Sequence, residues 1–367
     1  GEHVSIPHTW NASDGTSEDY YRGKGTYRCT FDLTKNIKKK RIFIRFEAVS
    51  LEAEIFLNGQ YLGNHKGAFN AFCFEITPYV KKQNNELIVK VSNALNPDVA
   101  PLSGDFTVFG GIYRPVSLLI LPQTCITPLD YASSGIYIKQ TDIQDHKATL
   151  DITAKIDGNI SGNKKLRLRT SIFDPEGKLV SSSESENIRK AANNNAIEQQ
   201  IYIENPVLWN GKVSPNQYRF FCEVLQGKKV IDTLSVHTGL RYFNVDPEKG
   251  FFLNGKSYQI RGVNRHQDRK GKGWAISETD HQEDMRLIKE IGANGIRLAH
   301  YPHSNYFYSL CDREGLLVWA EIPFIGNGTE STAFEENLKQ QLIELIRQNF
   351  NHPSIFCWSL FNELVKG

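Results

Sequence analysis

Four short groups of polar and titratable residues each follow an apolar run: Asn264-Arg265-His266, His300-Tyr301, Glu321 and Asn362-Glu363. Imidazoles and carboxyls are the usual carriers of proton transfer to and from a reacting group. Glu363 stands out, because it comes directly after Cys357-Trp358-Ser359-Leu360-Phe361. A carboxyl behind such a run is expected to be poorly solvated, and poor solvation raises its pKa into the range that suits a general acid. One carboxyl group is not a mechanism, so a partner has to come from another element. Each candidate also has a structural alternative. His266 and His300 could be hydrogen-bonded scaffold histidines, and Glu321 could pair with a neighbouring arginine. His300 and His303 are three residues apart, but Pro302 intervenes and no helix aligns them, so they do not read as a metal pair.

The elements that would carry these residues are read from periodicity. After Arg241, strand and helix patterns alternate: a strand in "SYQIRGVNRH", a helix in "ETDHQEDMRLIKEIG", a strand in "NGIRLAH", a helix in "NYFYSLCDREG", a strand in "LLVWAEIP", an amphipathic helix in "FEENLKQQLIELIRQNF" and a strand in "SIFCWSLFNE". Three strand-helix repeats and a fourth strand are the first half of a (β/α)₈ barrel, whose functional residues sit where the strands end. A complete barrel needs about 250 residues, so residues 241–367 are expected to form its N-terminal half only.

The residues before Arg241 read as β-structure in two blocks. Residues 1–123 alternate apolar and polar side chains around an Asn58-Gly59 hairpin signal and suit a jelly-roll sandwich. Residues 124–240 hold a second series of strands with turn signals at Asp174-Pro175-Glu176-Gly177 and Gln226-Gly227-Lys228, and suit an immunoglobulin-like sandwich. The polar stretch 181–195 reads as an exposed connection.

Composition limits the partners. Lys and Arg number 43 against 41 Asp and Glu, a formal charge of +2, which gives no electrostatic reason to expect nucleic acid or an anionic membrane surface. No stretch is long and apolar enough to span a bilayer as a helix. The six cysteines are scattered without C-x-x-C spacing, so neither a zinc site nor a disulfide framework is expected from them.

The strand-end residues lie in two long motifs, "NGIRLAHYPHSNYFYSLCDREGLLVW" (294–319) and "NHPSIFCWSLFNE" (351–363). Both resemble signatures of glycoside hydrolase family 2, the β-galactosidase, β-glucuronidase and β-mannosidase family. "PHTWN", "YYRGKGTYR" and "FLNGQYLGNHKGAFNAF" resemble its N-terminal sugar-binding jelly roll, and "NPVLWNGKVSPNQYRFF" and "TGLRYF" its immunoglobulin-like domain. The resemblance implies a retaining exo-β-glycosidase acting on a carbohydrate, with Glu363 as general acid/base, Asn362 on the substrate 2-hydroxyl, and His266, His300 and Asp105 (in "SGDFTVFGGIYRPV") as sugar contacts. "RGVNRHQD" is nearer the β-galactosidase pattern, so a β-galactoside is the expected substrate, with a β-glucuronide, a β-mannoside or a non-catalytic sugar-binding role as alternatives. The family's nucleophile is expected beyond Gly367, so the chain alone is expected to be inactive. No cofactor is implied. The metal-dependent members carry a Glu and a His where this chain has Ile325 and Asn327, so no magnesium site of that type is expected. A homo-oligomer and a periplasmic or secreted location are compatible with the resemblance.

Overall fold

The computed structural model describes residues 1–33, 37–158, 165–186 and 195–366. Alternating side chains in the first part give two antiparallel sheets. One has strands Lys24–Phe31, Asn85–Ser92, Glu52–Leu57 and Gln60–Lys66 side by side, and the other Phe72–Glu75, Lys40–Phe46 and Val116–Pro122. Ile42, Ile44, Phe46, Ile55, Leu57, Val89 and Val91 are buried between them. The hairpin signal is realised: Asn58 and Gly59 both have positive φ (51° and 82°), and Leu57 pairs with Gln60 across the turn.

The second part is another antiparallel sandwich. Its sheets are built on Lys147–Gly158 paired with Ala196–Glu204 and Ile136–Ile143, and on Leu166–Phe173 paired with Tyr218–Gln226 and Leu179–Glu184. A contiguous core of Leu150, Ile152, Leu168, Ile201, Phe220 and Val224 fills it. The stretch 181–195, read from sequence as a connection, begins as strand: Ser181 to Glu184 pair with Leu166–Phe173 although their side chains are polar, because the pairing is made by backbone groups and the strand lies at the sheet edge, open to solvent. Residues 187–194 lie outside the described residues.

The third part has four parallel strands, Gly262–Arg265, Gly295–Leu298, Leu317–Glu321 and Ile355–Ser359, adjacent in that order. Between them run helices α1 (Glu278–Glu290), α2 (Asn305–Glu314) and α3 (Thr332–Gln348). This is the first half of a (β/α)₈ barrel, an open parallel arc among the described residues. Helix α1 starts at a capping box in which Ser277 and Asp280 exchange side-chain-to-backbone bonds. Helix α2 ends at Gly315, whose φ of 73° and closeness to Gly211 (a Cβ would lie 2.3 Å from its carbonyl carbon) admit no side chain.

The three parts are tied together by different chemistry. Trp209 of the second sandwich is fully buried against Leu253 and Leu317 and donates its indole N–H to the Asp312 carbonyl (2.9 Å). Aromatic side chains join the first sandwich to the barrel: Phe69 stacks on Tyr301 with ring centres 4.3 Å apart, and both pack on Trp274. Helix α3 adds a polar seam. Its fully buried Gln341 donates to the Ala100 carbonyl (3.1 Å), Asn337 accepts from the Ala100 N–H (3.1 Å), and Glu344 meets His65 (2.9 Å). Sequence periodicity marks the apolar stripe of α3, but its amides look like solvent-facing residues until the sandwich is seen to cover them.

Candidate active site

The barrel strands end on one face, and the segment 101–109 of the first sandwich reaches across it. Ser103 donates to the Ile325 carbonyl (2.9 Å), and Phe106 packs its ring against His266, His300 and Tyr301 at centre distances of 5.7, 6.5 and 5.0 Å. Asp105 lies between these anchors, exposed at the mouth. Ligand-capable atoms of Asp105, His266 and His300 all lie within 4.8 Å of one another. Three residues far apart in sequence, predicted as contacts to one ligand, therefore converge.

Each histidine is held by one ring nitrogen. His266 Nδ1 is 2.9 Å from the hydroxyl of fully buried Tyr301. His300 Nδ1 is 2.7 Å from Glu321 Oε1. Arg297 Nη2 also lies 3.1 Å from this nitrogen, but the Glu321 contact is the shorter, and an ionised carboxylate there selects the tautomer with the proton on Nδ1, which leaves the other nitrogen as an acceptor. Burial lowers the pKa of His266, helped by the neighbouring His300, while Asp268, Asp105 and Glu321 pull the other way. Near neutral pH His266 is therefore an uncharged imidazole.

Glu321 is 1% exposed and held by three neighbouring residues. It accepts from His300, from Arg297 Nε (3.1 Å) and from the Trp319 indole N–H (3.1 Å). The structural alternative read for Glu321 is thus the observed one: its arginine partner is Arg297. Sequence reasoning missed Arg297, whose Nη2 also donates to Asn362 Oδ1 (2.7 Å) and so turns the Asn362 amide nitrogen away from it. The signal was available, since strand alternation in Gly295–Leu298 sends Arg297 to the opposite face from Ile296 and Leu298.

Glu363 follows Asn362 directly, but its environment differs from the expectation. The side chain is exposed, not poorly solvated. The apolar run that suggested burial is not a continuous buried strand: the fourth barrel strand stops at Ser359, Leu360 and Phe361 are 52% and 56% exposed, and a new short strand, Asn362–Lys366, begins. That strand pairs only with Ile325–Asn327 among the described residues, so nothing described covers the Glu363 carboxylate. Its φ of 48° is uncommon for a residue with a side chain and marks a local departure from strand geometry. Beside it, Ile325 is buried and apolar, and Asn327 offers an amide, so neither supplies a hard anionic ligand for magnesium.

His303 does not join this site. Its Nδ1 meets Arg265 (2.9 Å) and its Nε2 the Ala299 carbonyl (3.0 Å), so it and His300 serve separate networks.

Comparison with known proteins agrees with this layout. Residues 3–122 match the glycosyl hydrolases family 2 sugar binding domain, 134–241 match glycosyl hydrolases family 2, and 244–367 match its TIM barrel domain. The chain is 44% identical to a β-glucuronidase of Bacteroides fragilis over 98% of its own length and 53% of that protein. It is 33% identical to a β-galactosidase of Thermoanaerobacter pseudethanolicus, over 98% of this chain and 47% of the relative. The crystal structure of a Bacteroides uniformis β-glucuronidase superposes with a TM-score of 0.92 at 38% identity, over 98% of this chain and 43% of that one. The chain thus spans about half the length of the relatives it matches.

Proposed function

Since the chain belongs to glycoside hydrolase family 2, we propose that the protein hydrolyses terminal β-glycosides with retention, Glu363 acting as general acid/base. Glu363 protonates the leaving oxygen in the first step and takes a proton from water in the second. Asn362, fixed through its Oδ1 by Arg297, presents its amide nitrogen to the sugar 2-hydroxyl, where a hydrogen bond strengthens in the transition state. Asp105, His266 and His300 bind the remaining hydroxyls at the mouth. The carboxylate nucleophile is the one that the family resemblance places on a later strand, while Glu321 is buried and held by Arg297, His300 and Trp319. We also propose the division read from sequence: a jelly roll over 1–123, an immunoglobulin-like sandwich over 124–240 and the barrel from 241. The observation that carries the functional reading is the hydrogen-bonded line from His300 through Glu321 and Arg297 to Asn362, which links three strand ends into one surface.

On the sugar, the higher identity to a β-glucuronidase than to a β-galactosidase, 44% against 33%, moves the reading from the β-galactoside expected of Arg261–Asp268 to a β-glucuronide. Paired aryl substrates decide between them. For the mechanism, Glu363→Gln in the intact protein is expected to lower turnover on the order of 10²–10⁴-fold with a poor leaving group, and far less with an activated one. Equal activity of variant and wild type on the poor leaving group would remove Glu363 from the mechanism.

A further inference from the structure

The convergence of Asp105, His266 and His300 has a second chemical meaning besides sugar contact. Two imidazoles and one carboxylate, with ligand-capable atoms all within 4.8 Å of one another, form the sole such group of three among the described residues. The geometry points to a binding site for a divalent d-block cation, of which zinc is the representative, at the mouth formed by the first sandwich and the first two barrel strands.

Three observations support it. The donor set is one that zinc uses when it keeps a fourth position for water, namely two histidines and a carboxylate. The supporting bonds are also those of a metal site. His300 donates Nδ1–H to the buried carboxylate of Glu321, the arrangement that orients an imidazole and raises its basicity toward a metal. Glu321 is itself fixed by Arg297 and Trp319. His266 Nδ1 meets the Tyr301 hydroxyl, and in the tautomer whose Nδ1–H donates to that oxygen the other ring nitrogen is a free ligand atom. Finally, the closure needed is small. Zinc with bonds of about 2.0–2.1 Å brings tetrahedral ligands to roughly 3.3 Å from one another. Asp105 belongs to an exposed segment between Gly104 and Phe106, while both histidines are anchored, so the carboxylate is the partner that closes. This site is separate from the Ile325–Asn327 position, where the chain offers no hard anionic ligand. A cation here would occupy the place proposed for sugar hydroxyls, so zinc and saccharide exclude each other. That last clause alone rests on the proposed function.

The test is titration of Zn²⁺ into the intact, tag-free, chelator-treated protein by calorimetry. One equivalent is expected to bind, weakened at least tenfold by Asp105→Asn and a hundredfold by His300→Ala. Glu321→Gln is expected to weaken binding about 10–100-fold without removing a ligand. Asp105 is exposed, so Asp105→Asn should keep the wild-type melting temperature and guards against loss of fold as the explanation. Zinc binding that is unchanged in Asp105→Asn and His300→Ala, or no binding at all, overturns the inference. Addition of a saturating monosaccharide inhibitor then separates the two readings. Zinc bound with unchanged affinity beside the inhibitor refutes mutual exclusion and the sugar-contact roles while leaving the metal site. Inhibitor binding without zinc binding refutes the metal site alone.

Discussion

Two histidine groups lie side by side at the barrel mouth, and they have been put to opposite uses. His281 and His303 surround the buried guanidinium of Arg265, at 3.0 and 2.9 Å, and Asp284 completes the group with bonds to Nε and Nη2 of 3.0 and 2.7 Å. Arg265 also lies over the ring of Phe307 at 3.9 Å. His266 is the next residue after Arg265, and His300 is three before His303, yet both have one nitrogen free at an open surface. Saturation separates scaffold from site here. The inner histidines are buried and forced neutral, His281 being pushed down to about 3 first by burial and then by the charges of Arg265 and Arg114. The outer pair is half satisfied, and carboxylates stand behind it and in front of it.

Removing the centre of the inner group should give the largest stability loss. In Arg265→Met two buried histidines lose their charged partner, while part-exposed Asp284 keeps Arg269 (2.8 Å), so the loss is expected at about 1.5–3 kcal/mol. Urea unfolding of the intact protein measures this. A loss below about 1 kcal/mol would show that the inner group is no scaffold, and the contrast between the two groups would fail.

The outer group should respond in activity first. Arg297→Lys keeps a positive charge but loses the fork that holds Glu321 and Asn362 together. Misplacement by an ångström of a group that positions substrate can cost about 100-fold, and kcat/KM should fall by about that factor. If kcat/KM holds within threefold, the line from His300 to Asn362 does not position the substrate.

Much of this was legible in the sequence, for reasons particular to each element. The Asn58-Gly59 hairpin was readable because only a few residue pairs adopt two consecutive positive φ angles, as this pair does. The barrel strands and helices were readable because period 3.6 alternates with short apolar runs. The solvation of Glu363 was not. A run such as Cys357 to Phe361 signals burial only if something covers both faces, and that depends on neighbours the run does not name. Nor was the buried polar face of α3 readable, since Asn337, Gln341 and Glu344 find their partners in Ala100 and His65 of a sandwich more than 200 residues away. Arg297 is an intermediate case: alternation placed it, but its double role depends on Glu321 and Asn362 arriving from other strands.

The inner group also makes a prediction about acid. A histidine whose folded pKa is depressed lets the unfolded chain bind more protons below its ordinary value of 6.5. The stability associated with neutral His281 is therefore complete above pH 6.5 and is lost as pH falls toward 3. In His281→Gln the curve of stability against pH should be flatter across that window than in wild type. An unchanged slope would mean that His281 takes up its proton over the same pH range folded and unfolded, and so is not held neutral by the scaffold.

The smallest effect is expected at Tyr301, which touches both the core and the outer group. Tyr301 is buried against Phe69 and Trp274, and its hydroxyl reaches His266 Nδ1 at 2.9 Å and the Gln267 N–H at a longer 3.4 Å. Tyr301→Phe keeps the ring stacking and removes one good hydrogen bond, so stability should fall by about 0.5–1.5 kcal/mol. If His266 were scaffold like His281, the change would end there. Because His266 faces the open site, freeing its ring should also raise KM by a few-fold with kcat nearly unchanged, and it should weaken zinc binding by a similar factor. A variant that is less stable but identical in KM and in zinc affinity would move His266 from the outer group to the inner one.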